Sequence, residues 1–149
     1  MKKSNTHSSV SWYVRLMQDN LELDNVFDKK LVITTKKSRY GYSKTLLIRP
    51  SEESDLYTVT FEGSVKRRSI VWLHDASKYH GDIKEIPHIY SKYLDKERDW
   101  VPLCLYYPKW NELKPDSRFN NTIIPWTIEW LEYFDMWRID HKWRGGGKH

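Results

Sequence analysis

At 149 residues and 18.1 kDa the chain fits one compact unit with a real core, and a second domain has no room, so residues 1–149 are read as a single domain. Charged residues at 30% are balanced by 8 Trp, 10 Tyr and 4 Phe, an aromatic content that excludes a disordered chain. A net charge of +5 leans toward acidic partners without pointing to nucleic acid.

The single cysteine, Cys104, has no internal disulfide partner, and the polar Met1–Val10 stretch lacks the apolar run of a signal peptide. Both features predict a reducing, cytoplasmic setting. The apolar runs Leu46–Ile48 and Ile70–Leu73 are a few residues long, against about 20 for a membrane span, so no transmembrane segment is expected.

Met1–Ser9 is expected to fray, with Ser8 or Ser9 capping the first helix. Val10, Val14, Met17 and Leu21 recur at helical spacing and predict one apolar face of that helix, which ends near Asn20. After Asp28 the texture turns to β-branched and aromatic runs at Leu31–Thr35, Thr45–Arg49, Leu56–Phe61 and Ser69–Leu73. The breakers between them, Tyr40-Gly41, the segment from Pro50 to Asp55, and Gly63 with Lys66, Arg67 and Arg68, fit hairpin connections. A four-stranded antiparallel meander is the economical reading.

Ala76–Phe119 has little periodicity and carries Pro87, Pro102, Pro108 and Pro115, the mark of a long irregular stretch of functional character. Pro125 then suits the first turn of a helix. Trp126, Trp130, Tyr133, Phe134 and Trp137 come next at helical spacing, and Gly145–Gly147 ends any extension. Such a stripe is read as core over a base-stacking platform, with Trp126, Trp130, Phe134 and Trp137 inward and Glu129, Glu132, Asp135 and Arg138 solvated. The Lys66–Arg68 cluster is read as solvated charge.

Cys104 lies in Pro102-Leu103-Cys104-Leu105-Tyr106-Tyr107-Pro108. Between apolar neighbours it reads as a small buried hydrophobe; in a loop on a rigid scaffold it reads as a nucleophile that acts through its thiolate. Of six histidines, none has metal-ligand spacing, and no metal is expected. His88, after Pro87, is either a base for the thiol or a residue that pins the loop.

Three pieces of the chain resemble the bacterial E2-like proteins of short type II CBASS anti-phage operons, relatives of ubiquitin-conjugating enzymes. Pro87-His88-Ile89-Tyr90 resembles the family's His-x-Tyr, Leu103-Cys104-Leu105-Tyr106-Tyr107-Pro108 its Leu-Cys-Leu-Tyr-x-Pro, and Thr122-Ile123-Ile124-Pro125-Trp126-Thr127, Trp130-Leu131, Trp143 and Gly145–His149 its carboxy-terminal signature. The match covers residues 87–149, and the first half agrees in its order of helix and meander. Two departures stand out: Ser91–Leu103 is longer than the usual spacing and lacks its Gly, and Tyr90 stands where eukaryotic E2 enzymes carry an oxyanion-stabilising Asn.

The resemblance implies an α+β, E2-like (UBC-like) fold with an active-site Cys loop and a carboxy-terminal aromatic helix. It implies an acyl carrier in which Cys104 forms a thioester with the carboxy-terminal glycine of a partner and passes it to an amine. His88 and Tyr90 are the other site residues it assigns. The implied partner is the cyclic-nucleotide synthase (CD-NTase) of the same system, with a separate activating enzyme left open and no metal or organic cofactor. A non-catalytic E2-variant binding module is the alternative, and a basic nucleic-acid binder ranks last.

Overall fold

A computed structural model describes residues 3–106, 113–114 and 116–145, the backbone alone for residues 3–11. Helix α1 (Lys3–Val26) starts upstream of Ser8 and Ser9 and continues past Asn20. The expected fraying and serine cap give way to helix because no Pro or Gly lies between Lys3 and Val26 to stop the ladder from propagating. The inward face also differs from the expected one. Val14 and Leu21 are exposed, whereas Leu16, Asp19, Asn20 and Leu23 are buried. Charge pairing turns the helix: Asp19 meets Arg68, Glu22 meets Arg118, and Asp24 meets Lys44, whose Nζ lies 2.6 Å from the carboxylate.

Four strands then form a meander, β1 (Val32–Ser38), β2 (Gly41–Ile48), β3 (Tyr57–Ser64) and β4 (Ile70–Leu73), each antiparallel to the next. A short helix α2 (Ala76–Tyr79) comes next, and then a fifth strand, β5 (Val101–Pro102), pairs with β4 so that the sheet runs in chain order. The sheet therefore has five strands, not four. Pro102 hides the fifth in the sequence, yet a proline is tolerated at a sheet edge because only its N–H is missing and its carbonyl still bonds. At the β1–β2 turn Gly41 has φ +155°, and a Cβ there would stand 2.0 Å from the Gly63 carbonyl oxygen. Only glycine fits so close an approach.

The period-two pattern puts Tyr42, Leu46, Ile48, Tyr57, Val59, Phe61, Val71 and Leu73 on one face, all buried. That face packs against α1 and against α3 (Ile123–Asp140). Within α3, Trp130, Leu131, Phe134 and Trp137 are buried as the stripe requires, while Trp126 is half-buried at the rim beside Tyr106. Glu129 and Glu132 are solvated, but Asp135 accepts from the Ser54 and Tyr57 hydroxyls and Arg138 donates to Asp55 and Tyr57. The reading of those two as solvated is thus corrected, because the loop before β3 brings polar partners to that side of the helix. The helix ends with His141 at φ +59°, a left-handed cap ahead of the glycine run.

Arg68 corrects the reading of its cluster as solvated charge. It is buried, its Nε and Nη2 grip both Asp19 oxygens at 3.2 and 3.1 Å, and it donates to the carbonyls of Lys114 and Ser117. Lys66 is exposed, and Arg67 is half-buried.

Candidate functional site

The segment between Tyr90 and Cys104 is a closed excursion. After a single 3-10 turn at Ser91–Tyr93, Asp95 and Trp100 exchange both backbone hydrogen bonds at 3.0 Å, and the Asp95 carboxylate accepts from the backbone and side chain of Arg98. Asp99, at φ +62°, turns its carbonyl to the Ala76 N–H and its carboxylate to the Ser77 N–H, which fastens the excursion to the start of α2. Arg98 stacks 3.9 Å over the Trp100 ring, which itself lies 3.9 Å from the His74 ring. The residues beyond the family's usual spacing are thus accounted for by their own hydrogen bonds, and the two ends of the excursion return side by side.

At that closure the site residues meet. The Tyr90 N–H donates to the Pro102 carbonyl at 2.9 Å, Ile89 bridges Leu103, and the Cys104 N–H donates to the His88 carbonyl at 3.0 Å. The Leu103 N–H donates to the Val71 carbonyl of β4 at 2.8 Å, so Cys104 comes directly after a strand fixed to the sheet. His88, Tyr90 and Cys104 are therefore neighbours despite their sequence separation.

His88 stands at φ +55°, a left-handed conformation that costs a non-glycine residue about 1 kcal/mol or more. Its carbonyl takes a second hydrogen bond from Trp130 Nε1 at 2.8 Å, and its ring stacks on Trp143 at 4.8 Å and 18°. Trp143 in turn packs against Trp130 and Tyr133. A Cβ on Gly145 would come within 2.6 Å of the Tyr133 ring, so the glycine lets the chain pass close behind. Trp130 and Trp143 thus hold His88 from the carboxy-terminal side. Sequence reasoning placed Trp130 in the core alone, since a hydrogen bond across 42 positions leaves no local signal.

Cys104 is 7% exposed, and its Sγ lies 3.8 Å from the Tyr106 carbonyl oxygen. The Tyr90 hydroxyl donates to that same carbonyl, which brings it beside the Cys104 side chain. Burial, and then the charge and hydrogen bond of Cys104, push the Tyr90 phenol well above its ordinary value, with Arg67 opposing. Like any phenol, Tyr90 is protonated at neutral pH, and its proton goes to the Tyr106 carbonyl beside the sulfur. Burial likewise raises Tyr106. The Arg67 guanidinium lies 5.7 Å over the Tyr90 ring and 5.3 Å over the Tyr93 ring. Tyr107 and Pro108 of the Cys104 motif, and Gly146–His149 of the carboxy-terminal one, lie outside the described residues.

This arrangement, a single cysteine just after a strand, beside a tyrosine hydroxyl and a pinned histidine, is borne by an α+β fold with one long helix before the sheet and one after it in the chain. The family described as Type II CBASS E2 protein matches residues 21–149, and the chain belongs to that family. Membership supports an E2-like role in CBASS defence and implies a partner within a CBASS system. No curated protein matches the chain. Among the described residues no helix is long and apolar enough to cross a membrane.

Proposed function

We propose that the chain is an E2-like acyl carrier whose nucleophile is Cys104. The observation that carries this reading is the convergence of the Cys104 side chain, the Tyr90 hydroxyl and the His88 carbonyl at the end of β5. The order of helix, meander, cysteine-bearing segment and carboxy-terminal helix is the order an E2-like fold requires, which adds support.

The groups present define the chemistry. The thiol gives its proton to solvent, and the thiolate attacks the activated carboxy-terminal carbonyl of the partner, forming a C–S bond and an oxyanion. Collapse expels the activating group and leaves a thioester. An amine then attacks the thioester carbonyl, loses a proton, and the thiolate departs as the amide forms. Tyr90, whose hydroxyl meets Cys104 Sγ at the Tyr106 carbonyl, is the donor placed to stabilise the thiolate and the oxyanion once its proton turns from that carbonyl, in the position where eukaryotic E2 enzymes use Asn. One such donor is worth about 100-fold or more in rate. His88 acts as a positioning residue: its carbonyl fixes the Cys104 N–H, and its ring is held by Trp143. The carried partner in this reading is the carboxy-terminal glycine of the system's cyclic-nucleotide synthase.

The low exposure of Cys104 favours one other reading, an E2 variant that holds its partner without a covalent step. Co-expression with a cyclic-nucleotide synthase ending in Gly, and then a non-reducing gel, separates the two. An acyl carrier gives an adduct that collapses with thiol, a more stable oxyester in Cys104→Ser, and none in Cys104→Ala. An adduct that persists in Cys104→Ala removes the nucleophile assignment. Co-purification without any adduct supports the binding module.

A further inference from the structure

Arg67 and Arg68 are adjacent in sequence and opposite in circumstance. Arg68 is saturated by Asp19 and two carbonyls. Arg67, half-buried, is held by the Tyr90 and Tyr93 rings through cation–π contact, and among the described residues no carboxylate pairs with it. A guanidinium held against two rings, with no carboxylate partner among the described residues, keeps N–H donors for an anion.

Arg67 also lines a groove of about 500 Å³ that runs to the β1–β2 hairpin, where it meets Lys36, Lys37 and Tyr40. Ile70 forms part of its floor, and Glu62 is the one carboxylate in the lining, engaged by Trp72 Nε1 at 3.2 Å. Neither lysine forms an ion pair among the described residues. Tyr40, Val65 and Tyr93 are exposed at this end of the molecule and offer apolar area beside the charge. At its inner end the groove adjoins the candidate site through Arg67, which lies over the Tyr90 ring.

We propose that this groove, with Arg67 at its inner end and Lys36 and Lys37 at its outer end, is a docking site for an acidic peptide segment that leads toward Cys104. Lys36, Lys37 and Arg67 outnumber the one carboxylate of the lining, Glu62, and this balance sets the sign of the occupant. The proposal rests on the acyl-carrier reading for what the peptide delivers, but docking itself requires no chemistry at sulfur.

The test therefore uses the Cys104→Ala chain and fluorescence anisotropy with a labelled eight-residue peptide rich in Asp and Glu. Peptides of equal length rich in Ser or in Lys serve as comparisons. Expected are salt-sensitive binding of the acidic peptide alone and weakening of about tenfold or more in Lys36→Glu/Lys37→Glu and in Arg67→Glu. Arg67→Lys should recover part of the affinity, and Lys36→Glu/Lys37→Glu should melt like the parent because both side chains are exposed. Equal binding of acidic and Ser-rich peptides overturns the proposal, as does indifference to the charge reversals. A single-stranded oligonucleotide that binds through the same cations more tightly than the acidic peptide overturns it in favour of nucleic acid. A synthase adduct that forms at the parental rate in the charge-reversed chains removes the docking site and leaves the acyl carrier standing.

Discussion

Trp130 joins the aromatic core to the cysteine segment, and its two roles can be separated by two substitutions. In Trp130→Phe an aromatic ring still faces Phe134, which lies 5.0 Å from the parental indole, but the N–H that reaches the His88 carbonyl at 2.8 Å is gone. The carbonyl keeps its bond from the Cys104 N–H, so the lost hydrogen bond costs about 1 kcal/mol, and the smaller ring about 1 kcal/mol more. Trp130→Ala removes the whole 4%-exposed side chain at about 3 to 5 kcal/mol. Unfolding entropy scales with chain length, so over 149 residues each kcal/mol lowers the melting point by about 3 °C. Expected shifts are about 6 °C for Phe and about 9 to 15 °C for Ala, read by scanning calorimetry. In Trp130→Phe the Cys104 amide should also exchange with solvent faster than the amides paired between β2 and β3. A Trp130→Phe protein that melts within about 1 °C of the parent, with Cys104 exchange unchanged, refutes the view that the indole N–H holds the site.

His88→Ala should lower the melting point and slow thioester formation together, and His88→Gly should melt above His88→Ala by about 1 kcal/mol of relieved left-handed strain; an unchanged melting point with abolished, pH-shifted thioester formation means that the imidazole acts as a general base. Burial, opposed by Arg68, raises the Asp19 carboxyl to about 6, against about 3.9 unfolded, so between these values the native state holds a proton that the unfolded chain has released. The stability of the parent relative to Asp19→Asn should therefore fall as pH rises from about 4 to 6, by at most about 3 kcal/mol in denaturant titrations, and a rise over that window contradicts the assignment. Arg68→Met strands the Asp19 carboxyl without its guanidinium and should cost about 3 to 5 kcal/mol at neutral pH, measured by the same titrations.

The elements legible in the sequence were those whose partners lie close along the chain. β2, β3 and β4 obey the alternation of Tyr57, Val59 and Phe61 and its neighbours, and α3 obeys the spacing of Trp130, Phe134 and Trp137. What escaped was set by distant charge. The inward face of α1 carries Asp19 and Glu22 because Arg68 and Arg118 arrive from later segments to meet them, a fact that apolar spacing alone inverts. β5 escaped because two residues, one a proline, carry no periodicity. For the candidate site, Cys104, His88 and Tyr90 were visible as motifs. Their contact was not, because the excursion that joins them is built on Asp95, Asp99 and Trp100, whose pairings have no sequence signature.

The strict chain-order pairing of the sheet contrasts with the distant contacts that hold the Cys104 segment. Each strand from β1 to β4 finds its neighbour within one hairpin, so these pairings close early and locally, as low contact order favours. The bonds that set the cysteine segment are of the other kind: His88 is secured by Trp130 and Trp143, near the far end of the chain. The contacts that pin His88 thus come from residues synthesised after all five strands. A chain cut short before α3 lacks Trp130 and Trp143, and with them the hydrogen bond and the ring that hold His88 against Cys104.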